Sequence, residues 1–129
     1  MNSEGIVGNR NGKAGLARNM PASVERMIRT GGLEIATEAF GDPADPPVLL
    51  IMGAMASMLW WPAELCQRLA QQKRYVIRYD NRDTGLSSKL DGVTYGLADM
   101  ARDGVAVLDA LEVGRAHVMG LSMGGTIVQ

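Results

Sequence analysis

The amino-acid sequence predicts an α/β fold built on a mostly parallel, doubly wound sheet with helices on both faces. From residue 48 onward, short strand-like runs alternate with segments of helical periodicity, which is the order that β-α-β units take. Residues 48–52 (VLLIM) are apolar at every position, which is typical of a strand covered on both faces. A Gly-x-Ser-x-Gly segment at residues 120–124 stands between a strand-like run and a helix-like run.

A hairpin and an exposed connection precede the buried strand. Residues 24–29 and 33–39 are strand-like, and the Thr30-Gly31-Gly32 segment between them is a turn signal, so an antiparallel pair opens the fold. Residues 41–47 contain three prolines, which fix φ and lack amide donors. The sequence therefore predicts a loop there and a strand immediately after it.

Two crossover helices and two further strands follow the buried strand. The first helix begins at Pro62 and carries Leu65, Cys66 and Leu69 on one apolar stripe. A strand is predicted over residues 75–79. The remaining elements are a helix over residues 97–111, with Gly96 as its N-cap and Gly114 as its C-cap, and a strand over residues 116–119.

Composition limits the class of protein. The 129 residues include 47% hydrophobic residues, with 13 Lys and Arg against 14 Asp and Glu, which predicts one globular unit. A net charge of −1 leaves no excess of positive charge for phosphates, so neither nucleic acid nor a membrane surface is an expected partner. The single cysteine, Cys66, has no partner for an internal disulfide, which favours a reducing cytoplasm. No apolar run approaches the length of about 18 residues that crosses a bilayer.

The N-terminal region has a different character from the rest. Residues 1–20 are rich in Gly and Asn and lack the apolar core of a secretory signal, so we predict a flexible extension. Sequence of ordinary folded character starts at residue 21. Met20 is therefore a second candidate, besides Met1, for the start of translation.

The segment Gly120-Leu121-Ser122-Met123-Gly124 carries the strongest chemical signal. A serine on a sharp strand-to-helix turn needs glycines around it, because neighbouring side chains would collide. Its hydroxyl then projects from the carboxyl end of the sheet, beside the amide donors of the following helix. A glycine-rich turn that only packs, or that binds phosphate, is the alternative interpretation.

Two more segments accompany this motif. Met52-Gly53-Ala54 follows the buried strand, and Asp80-x-Arg82-Asp83-x-Gly85-x-Ser87 follows the next strand. With these three segments, the sequence resembles the α/β-hydrolase family over residues 24–129. The residues within the segments are most similar to those of the bacterial branch that contains aclacinomycin methylesterase. In that family the first segment usually reads His-Gly-x, so Met52 is a departure from the pattern.

The resemblance implies a set of roles. Ser122 corresponds to the nucleophile, and the backbone amides of Ala54 and Met123 correspond to the two oxyanion-hole donors. No metal and no organic cofactor is implied. The family's catalytic Asp or Glu and its His follow the elbow, whereas the sequence has seven residues after Ser122. The sole histidine, His117, is expected to pack in the sheet and face away from the serine.

We therefore expect residues 21–129 to be the N-terminal half of an α/β-hydrolase domain, truncated just after the elbow and inactive alone. A C-terminal half that complements it is an expected partner. Met55, Met58 and Trp60 follow the oxyanion segment and are candidates for an acyl or aromatic substrate pocket, with core packing as the alternative. Cys66 is expected to be a buried thiol. Asp80 and Asp83 are expected to brace a loop.

The expected reaction is hydrolysis of a small-molecule carboxylic ester, methyl esters of polyketides being one candidate class, through an acyl-serine. Lactonase, peptidase and carbon-carbon bond hydrolase chemistry use the same elbow and are alternatives within the family. A non-catalytic truncated product, or a half-domain that binds a partner through its open sheet edge, is the alternative from another class.

Overall fold

Five strands in the spatial order β1-β2-β4-β3-β5 form a sheet in the computed structural model, which describes residues 23–129. The extension predicted over residues 1–20 lies outside the described residues. The strands are β1 (Ser23–Thr30), β2 (Leu33–Phe40), β3 (Pro47–Ile51), β4 (Tyr75–Tyr79) and β5 (His117–Gly120). The α-helices are α1 (Ala63–Gln71), α2 (Leu97–Ala110) and α3 (Met123–Val128), and one 3₁₀ turn spans Met58–Trp60.

The predicted hairpin is confirmed. Strands β1 and β2 are antiparallel up to the pair Thr30 and Leu33, which leaves a two-residue turn. Gly31 and Gly32 both have positive φ, +54° and +82°, as a tight hairpin turn requires. Strand β2 also runs antiparallel to β4.

The remaining three strands are parallel and doubly wound, as predicted. Strand β3 pairs in parallel with both β4 and β5, and the connections between these strands are the crossovers that contain α1 and α2. Side chains alternate along β3, so Leu50 packs with α1 on one face while Leu49 packs with α2 and α3 on the other. The carboxyl ends of β3, β4 and β5 consequently meet at one edge of the sheet.

Two details of the helices differ from the prediction. Leu65 is 39% exposed, so the buried stripe of α1 consists of Cys66 and Ala70. The C-cap of α2 is Leu111 and not Gly114, and the next residue, Glu112, takes the left-handed conformation with φ 58°. The backbone bond from Val113 N to Leu108 O, 2.8 Å, closes a Schellman-type end that does not require glycine.

His117 is exposed, which contradicts its expected packing in the sheet. Among the described strands β5 has only β3 as a neighbour, so its outer edge and much of its surface face solvent. Val118 and Met119 on the same strand are 38% and 53% exposed. None of the helices within residues 23–129 has the length and apolar character that crossing a membrane would need.

Candidate active site

Ser122 lies on a strained turn between β5 and α3. Its backbone has φ 55° and ψ −123°, a region that non-glycine residues rarely occupy. Such strain persists only where the surroundings enforce it. The turn therefore has the backbone geometry expected of a nucleophile elbow.

The glycines on either side of Ser122 allow this turn to form. A Cβ on Gly120 would collide with the backbone carbonyl of Gly124, and a Cβ on Gly124 would collide with the carbonyl of Ile51. Helix α3 thus packs backbone against backbone on the end of β3. Glycine is required at both positions because any larger residue would push α3 away.

The segment after β3 lies directly against the elbow. A Cβ on Gly53 would come within 3.0 Å of Leu121 O and 3.1 Å of the Ser122 Cβ. The bond from Leu121 N to Ile51 O, 3.1 Å, ties the same two segments together. The backbone amides of Ala54 and Met123 have no hydrogen-bond acceptor within the described part of the chain. Two donors are thus available beside the serine.

The loop after β4 braces the segment after β3. The Asp80 carboxylate accepts hydrogen bonds from Met58 N at 2.7 Å and from Leu86 N at 3.0 Å. The Asn81 side-chain amide donates to Met52 O at 3.0 Å. Asp80 and Asn81 are each 2% exposed. The expected bracing role of Asp80 is confirmed, and Asn81 is a contributor that the sequence pattern did not single out.

A buried ion pair between β4 and β2 supports the 3₁₀ turn. Arg78 on β4 bonds to Glu38 on β2 at 2.6 Å, and both side chains are almost fully buried. The Arg78 guanidinium also donates to the carbonyls of Met58 and Trp61. The 3₁₀ turn is therefore anchored to the sheet. A charged residue within the apolar run YVIRY is the only signal of this contact in the sequence.

A cleft of about 330 Å³ opens beside the elbow. Ala54 and Met123 line it, together with the apolar side chains of Met55, Leu97 and Met100. The cleft thus brings the two candidate oxyanion donors together with apolar side chains, and Ser122 itself is not among the residues that line it.

The three candidate pocket residues are placed differently from one another. Met55 lines the cleft, with a left-handed backbone at φ 57° and a side chain 96% exposed. Met58 is the buried first residue of the 3₁₀ turn and lines a different, smaller cavity. Trp60 is 71% exposed and does not line the cleft. Met55 is the member of the three that the structure brings to the elbow.

Tyr95 also lines the cleft, and sequence reasoning missed it. Its ring stacks on the Arg82 guanidinium, 4.8 Å from Cζ to the ring centroid, and its hydroxyl donates to Asp83 at 2.6 Å. Arg82 in turn makes a two-bond contact with Asp103 at 2.7 and 2.9 Å. The hydrogen bond from Tyr95 lowers the pKa of Asp83 and raises the pKa of the tyrosine. Asp83 also accepts a bond from Leu90 N, which confirms that it braces a loop.

The position of His117 does not suit a general base for Ser122. His117 is the sole histidine of the sequence and begins β5, whereas Ser122 follows the other end of that strand. At about 3.3 Å per residue, the strand places His117 roughly 10 Å from Gly120, and Ser122 follows that far end. Residues 23–129 also contain no group of three or more His, Cys, Asp and Glu side chains placed to hold a metal ion.

The sequence is similar to those of known proteins. Residues 46–129 match the family model described as alpha/beta hydrolase fold. Over 106 residues the chain is 49% identical to rhodomycin D methylesterase DauP of Streptomyces sp. (strain C5) and 47% identical to rhodomycin D methylesterase DnrP of Streptomyces peucetius. Each alignment covers 81% of this chain and 36% of that protein, so the chain spans little more than a third of these relatives.

A solved structure agrees with this placement. The thioesterase domain from the curacin biosynthetic pathway superimposes with a TM-score of 0.74 at 30% identity, covering 82% of this chain and 38% of that one. The two chains thus share the same fold over the superimposed part.

Proposed function

The chain belongs to the α/β-hydrolase fold family, and from that membership we propose that it is part of a serine hydrolase that cleaves carboxylic esters. The observation that carries the proposal is the strained elbow at Ser122, packed against two backbone amides that have no acceptor within the described residues. The identity to two rhodomycin D methylesterases supports an ester as the substrate.

The proposed reaction proceeds in two steps on Ser122. The serine oxygen attacks the ester carbonyl carbon while a base accepts the hydroxyl proton, and the carbonyl oxygen becomes negatively charged. The N–H groups of Ala54 and Met123 donate to that oxygen; one such donor is typically worth about 10²- to 10³-fold in rate. The alcohol leaves with a proton from the base, and water then releases the acid from the acyl-serine.

The base and the catalytic acid are proposed to come from sequence beyond residue 129. His117 is at the wrong end of β5, and Asp80 and Asp83 are occupied in bracing loops. Residues 1–129 alone are therefore proposed to lack hydrolase activity until a C-terminal half completes the domain.

The cleft favours a small-molecule ester with an apolar or aromatic acid portion. Met55 and Leu97 offer apolar surface, and the Tyr95 ring offers a flat face for an aromatic group. Methyl esters of polyketides fit this description. Lactones, peptides and carbon-carbon bonds flanked by a ketone are the alternative substrates for the same elbow.

A fluorophosphonate probe tests the nucleophile in the full-length gene product. We expect the wild type to be labelled, Ser122→Ala to lose the label, and Ser23→Ala to keep it, since Ser23 is an exposed residue at the start of β1. Label that persists in folded Ser122→Ala would refute the assignment. A folded wild type that takes no label would favour the non-catalytic alternative, and product analysis on methyl esters, lactones and peptides would separate the enzymatic ones.

A further inference from the structure

Within the oxyanion segment, the peptide that carries the Ala54 N–H is held by one long hydrogen bond, from Ala56 N to Gly53 O at 3.4 Å. Met52 stands where the family usually has histidine, and its side chain is buried in the apolar cluster on the α1 face. A thioether there offers no hydrogen bond to orient the loop. The next residue, Gly53, has wide backbone freedom, so the direction of the Ala54 N–H depends on how the preceding peptide is held.

Asn81 supplies that anchor. Its Nδ2 donates to Met52 O at 3.0 Å, from a side chain that is 2% exposed. The same carbonyl faces the elbow helix, because a Cβ on Gly124 would lie only 2.9 Å from Met52 O. The carbonyl is therefore held between the Asn81 amide and the elbow, and the peptide it belongs to leads directly into Gly53.

The other half of the Asn81 side chain points to a role beyond packing. Its Oδ1 is buried and has no hydrogen-bond partner within the described residues. A buried, unpaired amide oxygen destabilises a fold, and an apolar side chain of the same size would avoid that cost. Within the described residues, the Asn81 side chain therefore uses only its donor, on Met52 O.

Asn81 is itself fixed by its loop. Its backbone carbonyl accepts from Thr84 N at 3.1 Å, and the adjacent Asp80 carboxylate is bonded on two sides, to Met58 N and to Leu86 N. Because the loop fixes Asn81, the Asn81 side chain holds Met52 O in one position.

We propose that Asn81 is a positioning residue of the oxyanion hole, whose side-chain amide aims the Ala54 N–H at the reacting oxygen in place of the family's histidine. Its role rests on the proposed function of Ser122 and Ala54. It acts through the Met52 peptide and does not itself touch the substrate.

The test compares three variants of the full-length gene product on a methyl or p-nitrophenyl ester. Asn81→Leu and Asn81→Asp keep the approximate size of the side chain. The leucine cannot donate to Met52 O, and the aspartate cannot once it is ionised, so kcat of Asn81→Asp is compared with wild type at the alkaline end of the pH range, where burial beside Asp80 no longer keeps it protonated. We expect kcat to fall by about 10- to 100-fold with KM changed less than about threefold, because the oxyanion bond strengthens in the transition state. Affinity for a trifluoromethyl ketone, which forms a negatively charged oxygen at the same place, should fall by a similar factor.

Ser87→Ala is the structural control. Ser87 is 3% exposed in the same loop and bonds to Asp80 O at 2.6 Å and to Ala36 N at 2.9 Å, with no contact to Met52. This variant should lose stability to urea and keep kcat within about twofold.

Folded Asn81→Leu or Asn81→Asp that retains kcat would overturn the proposal, as would an equal loss of kcat in Ser87→Ala. If Asn81→Leu does not fold, Asn81→Asp decides. Failure of the serine assignment is recognised separately, because wild-type protein would then take no fluorophosphonate label.

Discussion

Replacing Gly124 by alanine tests whether the elbow helix is held at backbone contact with β3. The added methyl group would lie 2.9 Å from both the Ile51 carbonyl carbon and Met52 O, and closer still to Ile51 O. All three are backbone atoms at the end of β3 or directly after it, so no side chain can rotate away to make room. Relief requires α3 to move by roughly 1 Å relative to β3, since ordinary contact begins near 3.4 Å.

Gly125 is the matched control, because it is the next residue of the same helix. A Cβ there would have Gly120 O as its nearest neighbour at 3.8 Å, an ordinary contact. Alanine in place of glycine favours a helix by about 1 kcal/mol, so Gly125→Ala should leave stability unchanged or raise it slightly. Gly124→Ala gains the same preference but adds an overpacking cost of about 1–3 kcal/mol, at the upper end for a rigid neighbour.

We expect Gly124→Ala to be less stable than Gly125→Ala by about 2–3 kcal/mol in urea unfolding of the full-length protein. A shift of this size also displaces Ser122 from the oxyanion donors, and a 1 Å misplacement costs about 10²-fold in rate. Ester hydrolysis should therefore fall by that order in Gly124→Ala and remain in Gly125→Ala. Equal stability and equal rates in the two variants would refute the packing argument.

Three further predictions concern the braces around the site. Glu38→Gln leaves the buried Arg78 guanidinium without its charge partner and should lower the free energy of unfolding by about 3–5 kcal/mol, measured in urea. Burial raises the pKa of the Cys66 thiol, so an aromatic disulfide reagent at pH 8 should react with it only after unfolding in guanidinium, and rapid reaction of the native protein would contradict its burial. The hydrogen bond from the Tyr95 hydroxyl lowers the pKa of Asp83. The ionised carboxylate therefore stabilises the folded state above about pH 4, and this stabilisation is lost as the pH falls through the lowered pKa. We expect Asp83→Asn to lose less stability than wild type between pH 6 and pH 3, measured by urea unfolding.

The order of elements was predictable because each depends on local sequence. The continuous apolar run at residues 48–52 identifies β3 as a central strand, and two glycines between strand-like runs identify the hairpin. The resemblance to the α/β-hydrolase family is confirmed by the family match over residues 46–129. The prediction of Gly114 as the C-cap of α2 was wrong, because the Schellman hydrogen bonds of α2 form around Glu112 and do not need a glycine.

The candidate site was predictable only where a single segment contains it. Ser122 and its glycines share one motif, so sequence spacing identifies them together. Arg82 and Tyr95 meet only after residues between them fold back, and their sequence separation carries no periodic signal. Glu38 and Arg78 likewise meet because β2 lies beside β4, and strand order cannot be read from a local pattern.

The donors of the proposed oxyanion hole are backbone N–H groups. Their orientation is therefore determined by neighbouring residues that do not touch the substrate. An N–H has no side chain to vary, so its direction is set by which glycines allow close approach and which polar groups hold neighbouring carbonyls. Gly53 and Gly124 allow the segment after β3 and the elbow helix to come into backbone contact. From the loop after β4, Asn81 bonds to Met52 O and Asp80 bonds to Met58 N. In the proposed arrangement, Met52 can stand in place of histidine because Asn81, from the loop after β4, holds the Met52 carbonyl. On this view, substitution of Asn81, which holds Met52 O, should alter kcat more than substitution of the exposed Met55 that lines the cleft.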